Sequence, residues 1–353
     1  MTINEAAVGR KNNLNIIRLV AALMVLYMHS LSVSIGSQTA DVVGILTQGK
    51  ELAGGLAVDI FFIISGFLIC RSYDRKKSVA SYFWARFLRI WPLTCVVTLV
   101  CAFILGPLLT EYTYSQYMHG DILGFLKNIY FDSSNTLLPG VFNKHYNHSL
   151  NGSIWTLQYE VLCYILVALT AFVWRKFKAS SVIVTIGLAV MYIMYTYLGA
   201  GDIGPLSTGF LTNFSRLAMF FAVGSVFYLY GDKIILSNKL LVISIAGLII
   251  GTLTTDFAVT FAVFGSYIIF YIAFQKRFIA TWYDKVGDLS FGVYLMAFPI
   301  QQTLVEVMGK PTEYYGTMSM NPYLNMAITL IILLPLSWLS WHFLESKCLK
   351  LKK

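Results

Sequence analysis

Charge is scarce in this sequence. Only 12% of its 353 residues are Asp, Glu, Lys or Arg, about half of the roughly 25% usual for soluble chains. That scarcity disfavours a soluble globular protein, a disordered chain and a coiled coil alike. Cysteine is equally sparse. Cys70, Cys95, Cys101, Cys163 and Cys348 are the five; none falls in a segment read as an outer loop and none stands at metal-ligand spacing, so neither a disulfide scaffold nor a metal site is expected. No internal repeat, low-complexity tract or Pro/Gly-rich linker divides the chain.

Apolar residues are what the chain has in excess. They make up 57%, with a mean hydropathy of +0.68, above the roughly 45–50% of globular proteins. The expected fold class is therefore all-α, a polytopic membrane protein. The net charge of +9 would suggest nucleic acid only if the basic residues shared a water-exposed face, so their location decides its meaning.

Crossing about 30 Å of hydrocarbon takes about 20 apolar residues. Ten stretches qualify, at 14–35, 53–70, 91–109, 152–174, 180–198, 213–230, 240–255, 257–274, 288–308 and 322–344. Only Thr254, Thr255 and Asp256 separate the seventh and eighth, so these two also read as a single re-entrant hairpin. A cleaved signal peptide is not expected, because Arg18 and His29 interrupt the first stretch and no small-residue cleavage site follows it. With the N-terminus inside, 20 of the 26 Lys and Arg residues fall on the cytosolic side, Lys50, Lys127, Lys144 and Lys310 fall outside, and Arg18 and Arg216 lie within spans. This bias supports ten helices with both termini in the cytosol. One outer segment, about 110–150, is long, polar and aromatic-rich, and a loop of that length is usually functional.

An ionisable side chain in hydrocarbon costs about 2.5–3.5 kcal/mol on insertion scales, so each is a functional candidate. Arg18, His29, Asp59 and Glu160 lie deep enough to count. Arg18 and His29 are eleven residues apart, which leaves them about 20° from the same helical azimuth and separated by a rise of about 16 Å. By the same rise, His29 and Asp59 lie about 9 Å, and Glu160 about 12 Å, from the outer ends of their spans. A carboxylate at matching depth would orient the imidazole and stabilise its charge, which points to a general acid/base site in the outer half of the membrane. Taken singly, a helical histidine is more often a packing residue, and Asp59 reads equally well as an interfacial cap. Arg216 reads as an interfacial anchor. His145 and His148 read as solvated, their spacing being too common to argue for metal. On the cytosolic side Arg86 and Arg89 share a face at i and i+3, so they would clamp a phosphorylated ligand or, by spacing alone, anchor the chain to lipid head groups.

These residues together resemble the acyltransferase-3 family of integral membrane acyltransferases. Arg18 and His29 match its basic-residue and histidine motif within Asn15–His29. The segment Val58–Ile69 is similar to its aspartate, double-phenylalanine, serine-glycine motif. Arg86 and Arg89 match its arginine pair, and Ser153–Glu160 resembles its segment ending in glutamate. The stretch Leu289–Pro299 resembles a later tyrosine-leucine motif, departing from many members at Ala297, where they carry histidine. The resemblance covers nearly the whole chain, read as one transmembrane domain over 1–353 without an appended soluble domain.

It implies an O-acyltransferase in a bacterial inner membrane. No cofactor is bound permanently; the donor is an acyl-CoA, usually acetyl-CoA, and the acceptor an extracytoplasmic or lipid-linked carbohydrate. Arg18, Arg86 and Arg89 would hold the CoA phosphates, Ser65 and Gly66 would permit close approach of the donor, and His29 with Glu160 or Asp59 would be catalytic. Tyrosines of the 110–150 loop would stack on sugar faces. The rival expectation is a transporter or flippase without acyl chemistry, for which inverted repeats are the usual sign.

Overall fold

The computed structural model describes residues 1–9, 12–75, 78–204, 206–275, 280–313 and 316–352. Of the basic residues that set the charge bias, Arg10, Lys11, Lys76, Lys77, Lys276, Arg277 and Lys353 lie outside the described residues. Among those described, ten long helices carry the fold: α1 (Leu14–Ile35), α2 (Ala53–Arg75), α3 (Val79–Leu109), α4 (Gly152–Lys176), α5 (Ala179–Tyr197), α6 (Thr208–Leu229), α7 (Asn238–Thr254), α8 (Phe257–Phe274), α9 (Ser290–Met308) and α10 (Pro322–Lys350). The described strands are a two-residue pair, Lys310–Pro311 with Met318–Ser319.

Local chemistry sets the helix ends. Ser78, Ser207, Ser237 and Asn321 each accept a hydrogen bond from a backbone amide in the first turn of the helix that follows, which satisfies one of the four orphan N–H groups there. Gly36 ends α1 at φ 64°, a left-handed conformation that costs glycine little. Helix α3 starts twelve residues before the expected span at 91, because the aromatic and basic stretch with Arg86 and Arg89 continues the same helix. A hydropathy window stops at those charges; the backbone does not.

Eight of the ten helices are long and apolar enough to cross a membrane. Helix α7, at 17 residues, is shorter, about 26 Å at the α-helical rise. Helix α9 is not among the eight for a different reason: it is largely enclosed by protein, with Val307 and Met308 exposed at its end. Ser290, Gln301 and Gln302 on it are buried; Gln301 donates to the Leu26 carbonyl at 2.9 Å and accepts at its own backbone carbonyl from Asn325 at 3.1 Å, while its Oε1 has no partner among the described residues. A helix that meets little lipid has little need of lipid-like hydropathy.

The core gathers where α1, α2, α6 and α9 pack together. The α2–α6 contact depends on two glycines. A Cβ on Gly66 would overlap the carbonyl oxygen of Phe221, and one on Gly224 would overlap that of Ile63. Small residues bring helix backbones together where no hydrophobic force between helices exists in lipid, and Ser225 Oγ then reaches the Gly66 carbonyl at 3.3 Å.

Candidate active site

A cavity opens among α1, α2, α3, α4 and α9, with about 530 Å³ of empty space when the solvent at its mouth is included. Its wall includes Arg18, Ser65, Arg89, Thr156, Glu160 and Tyr294, the polar groups being set among apolar side chains such as Phe61 and Phe291. Helices α4 and α9 run past it in opposite directions. Arg18, Arg89 and Ser290 therefore lie toward one end, and Thr156 and Tyr294 toward the other.

At the first end the two arginines are bound to acidic partners. Asp288 Oδ2 accepts from Arg18 Nη1 and from Arg89 Nη2, both at 2.6 Å, while its Oδ1 accepts from the Ser290 hydroxyl at 2.6 Å. Arg89 Nη1 also meets Glu345 Oε2 at 3.4 Å. Glu345 reaches inward from a widened π-helical turn, Trp341–Glu345, in α10; such turns cluster at functional sites. Phe291 and Trp341 flank the Arg89 guanidinium at 5.7 and 5.8 Å. Each guanidinium carries five N–H donors, so these contacts leave donors on both arginines for a ligand.

Arg86 lies apart from this cluster. Its Nη2 donates to Ser72 Oγ at 3.3 Å, and its Nε is buried without a partner. The i, i+3 pair thus shares a helix face without sharing partners.

At the second end Thr156 Oγ1 lies 2.7 Å from the Tyr294 hydroxyl; Glu160, one turn further along α4 and so nearer the arginines, accepts a hydrogen bond from Tyr164. Tyr294 is the last residue of α9 in the cavity wall. One turn further on, Phe298 meets the ring of His29 edge-on at 4.9 Å. His29 is buried with Nδ1 unpartnered and stands past the Tyr294 end rather than in the cavity wall.

Asp59 is directed elsewhere. Its Oδ2 accepts from Arg216 at 2.7 Å, and Arg216 also pairs with Glu51. Arg216 therefore departs from its reading as an interfacial anchor and is the cation of a three-membered cluster between α2 and α6. No hydrogen bond joins His29 to Asp59 or to Glu160, whose described partners are Arg216 and Tyr164; equal depth placed these groups at one level without setting the azimuth at which each helix faces. Of the two residues expected to admit the donor, Ser65 lines the cavity, whereas Gly66 packs against the α6 backbone.

The outer segment 110–150 is folded. Tyr117 is buried and donates to the Ala102 carbonyl at 2.6 Å; Tyr112, Tyr114 and Tyr146 are exposed. His145 is not solvated, a second correction. Its ring is buried, with Nδ1 2.9 Å from Gln302 Oε1 and Nε2 2.7 Å from Glu306 Oε2, while His148 Nδ1 lies 2.8 Å from the Phe142 carbonyl.

Sequence reasoning missed Thr156 and Tyr294 in the cavity wall, and Asp288 and Glu345 as the acids that bind its arginines. Asp288 sits at a helix boundary and Glu345 near the chain's last basic cluster, where acids are commonplace. The legible signal for Thr156 and Tyr294 was their place inside the two motif segments, Ser153–Glu160 and Leu289–Pro299.

The arrangement, arginines at one end, apolar walls with a carboxyl group between and a hydroxyl pair at the other end, suits an anionic molecule that delivers an uncharged reactive group. Comparison with known proteins agrees with this geometry. The chain matches the acyltransferase-3 family, described as an acyltransferase domain, over residues 11–342. It is 27% identical over 358 residues to an O-acetyl transferase of Shigella phage Sf6, across 96% of each chain. It is 24% identical over 378 residues to Nodulation protein 10 of Rhizobium leguminosarum bv. viciae, across 99% of this chain and 96% of that protein. No solved structure matches. The family's region begins just before α1 and runs into α10, and the chain accordingly belongs to the acyltransferase-3 family as a membrane acyltransferase.

Proposed function

We propose that this protein moves an acyl group, in the first instance acetyl, from a cytosolic acyl-CoA to a hydroxyl of a carbohydrate on the opposite side of a bacterial inner membrane. The observation that carries this reading is the single cavity that joins Arg18 and Arg89 to Glu160, Thr156 and Tyr294. Both termini are cytosolic in this arrangement, so the arginine end faces the donor pool, and residues 1–353 act as one catalytic unit.

The donor's phosphates engage the free N–H groups of Arg18 and Arg89. Asp288 and Glu345 hold those guanidinium groups in place and offset part of their charge. Arg86 faces Ser72 and serves the head-group or nucleotide end rather than the passage. The thioester arm lies along Ser65 and Phe61 toward Tyr294.

The acceptor arrives from the other side, where His29 stands. Its hydroxyl oxygen attacks the thioester carbonyl carbon while His29 takes the hydroxyl proton as general base; the C–S bond then breaks, and the CoA thiolate leaves toward the arginine end and is protonated there. Glu160, hydrogen-bonded to Tyr164, sets the polarity of the passage. Asp59, paired with Arg216, acts through the packing of α2 on α6. The exposed tyrosines of the 110–150 loop supply apolar faces on which sugars stack.

The test is acceptor-dependent release of free CoA from acetyl-CoA by membranes containing the protein. The reading expects release to be lost in His29→Ala and in Arg18→Ala. Full acceptor-dependent activity in both variants would sink it, and movement of an intact glycan without thioester cleavage would favour a transporter instead.

A further inference from the structure

The hydroxyl pair at the Tyr294 end of the cavity has a proton to spare. Thr156 and Tyr294 are both buried, and their oxygens lie 2.7 Å apart. One of the two protons makes that bond. Neither hydroxyl has a second partner among the described residues, so the other proton has no acceptor in a place where an unsatisfied donor is costly. Thr156 lies inside α4, at the end of the 3₁₀ turn Gly152–Thr156 that Asn151 caps, and its hydroxyl is turned to Tyr294.

Tyr294 is also well fixed. Its ring meets Phe61 edge-on at 5.7 Å, and its helix is buried on either side of it, from Val293 to Leu295. The pair stands between the cavity and His29, with Tyr294 in the cavity wall and Phe298, one turn along α9, against His29. Donors that are useful to acyl transfer are those aimed in advance at the place where negative charge develops.

We propose that Tyr294 is a catalytic residue whose hydroxyl hydrogen-bonds the carbonyl oxygen of the acyl donor and stabilises the oxyanion formed on attack, with Thr156 as a positioning residue that donates to the Tyr294 oxygen. The inference rests on the acyl-CoA reading given above. As the acceptor oxygen bonds to the carbonyl carbon, the carbonyl electron pair moves onto the oxygen facing Tyr294. It returns when the C–S bond breaks, so the tyrosine keeps its proton throughout. The phenol is the more acidic of the two hydroxyls, and a Thr156 donation to it polarises its O–H further.

The test uses the full-length protein purified in detergent and two donor analogues in titration calorimetry. One is S-ethyl-CoA, a thioether without a carbonyl. The other is the ketone isostere of acetyl-CoA in which CH2 replaces sulfur. The wild type is expected to prefer the ketone by about tenfold, the worth of one good hydrogen bond. In Tyr294→Phe that preference falls to about one-fold while thioether binding is unchanged; with acetyl-CoA the donor KM rises by up to about tenfold, in step with the lost ketone affinity, and kcat falls by about 100-fold, the scale of losing one oxyanion donor. Thr156→Val shares the defect and Thr156→Ser restores activity. A Tyr294→Phe variant that keeps the ketone preference and kcat overturns the proposal, and so does a wild type with no preference. Failure of both analogues to bind the wild type overturns the acyl-CoA reading itself, a result distinguishable from the other two. Wild-type behaviour in Thr156→Val removes the positioning role.

Discussion

Arg89 shows how much one side chain can be asked to do. Asp288 and Glu345 bind it, and Phe291 and Trp341 cover its faces. A planar fork is needed for that environment, and an ammonium offers neither the geometry nor the stacking. Arg89→Lys is therefore expected to raise the KM for the acyl donor by tenfold or more at unchanged fold, as read by steady-state kinetics beside a thermal melt. Arg86→Lys, whose described partner is Ser72 alone, should cost several-fold less. Equal effects from the two changes would return both arginines to a common clamp.

Arg216 tests a different kind of charge. Among the described residues it is the one cation paired with both Glu51 and Asp59, which are largely and fully buried. Removing one member of a buried ionic cluster leaves the rest uncompensated, at a cost of about 3–5 kcal/mol. Arg216→Ala should lower the denaturation midpoint sharply, whereas Arg216→Ala combined with Glu51→Gln and Asp59→Asn should recover much of the loss. A catalytic Asp59 would instead leave that triple variant stable and inactive.

Between elements, the α2–α6 contact is the most sensitive to a small change. Gly66→Ala places a methyl group against the Phe221 carbonyl, and overpacking of this kind costs about 1–3 kcal/mol. The expected outcome is a lower melting temperature with the donor KM of the surviving folded protein unaltered. A raised KM with no loss of stability would return Gly66 to the donor site. The outer loop makes a comparable docking on α9. His145 faces Gln302 and Glu306, and Gln302 Nε2 in turn donates to the carbonyls of Asn147 and Ser149 at 2.5 and 2.9 Å. His145→Ala should raise hydrogen exchange across 110–150 by an order of magnitude or more while leaving α1 and α2 protected, since a local opening needs only the docking contacts to fail.

The element pattern was largely legible in the chain itself. Spans such as 14–35 and 257–274 coincide with α1 and α8 because an apolar run of membrane length has few alternatives in a bilayer. Misplaced edges, as at α3 and at α6, which starts at Thr208 rather than 213, follow from charged or polar turns that hydropathy excludes and helix geometry retains. The site was legible in part. Arg18, Ser65, Arg89 and Glu160 do share one cavity, and their motifs announced them. His29 and Asp59 lie outside its wall and face other neighbours, because depth along a helix is a sequence quantity and azimuth between helices is not.

For the molecule as a whole, the proposed orientation is open to a direct test. The Lys and Arg bias argues for both termini in the cytosol, with the 110–150 loop on the far side of the membrane. Single cysteines placed at exposed Tyr130 and at exposed Leu351, in a background lacking the native five, should react with a membrane-impermeant maleimide in intact cells only at 130. Labelling at both positions, or at 351 alone, would reverse the direction of transfer proposed here.

Composition and order along the chain determined the membrane setting, the helical class, most of the spans and the motif residues, for these depend on hydropathy and short spacing, which are local. Tertiary structure alone decided who answers each buried charge. Arg18 and Asp288 are 270 residues apart, Arg89 and Glu345 are 256 apart, and Thr156 meets Tyr294 across 138. No periodicity within one helix encodes such a pairing. It follows from how the helices are rotated and packed, here set in part by the glycine contact of α2 with α6 and by the enclosure of α9. The physical reason is that a charge in a low-dielectric interior must find a partner, and only the assembled bundle determines which one is within reach.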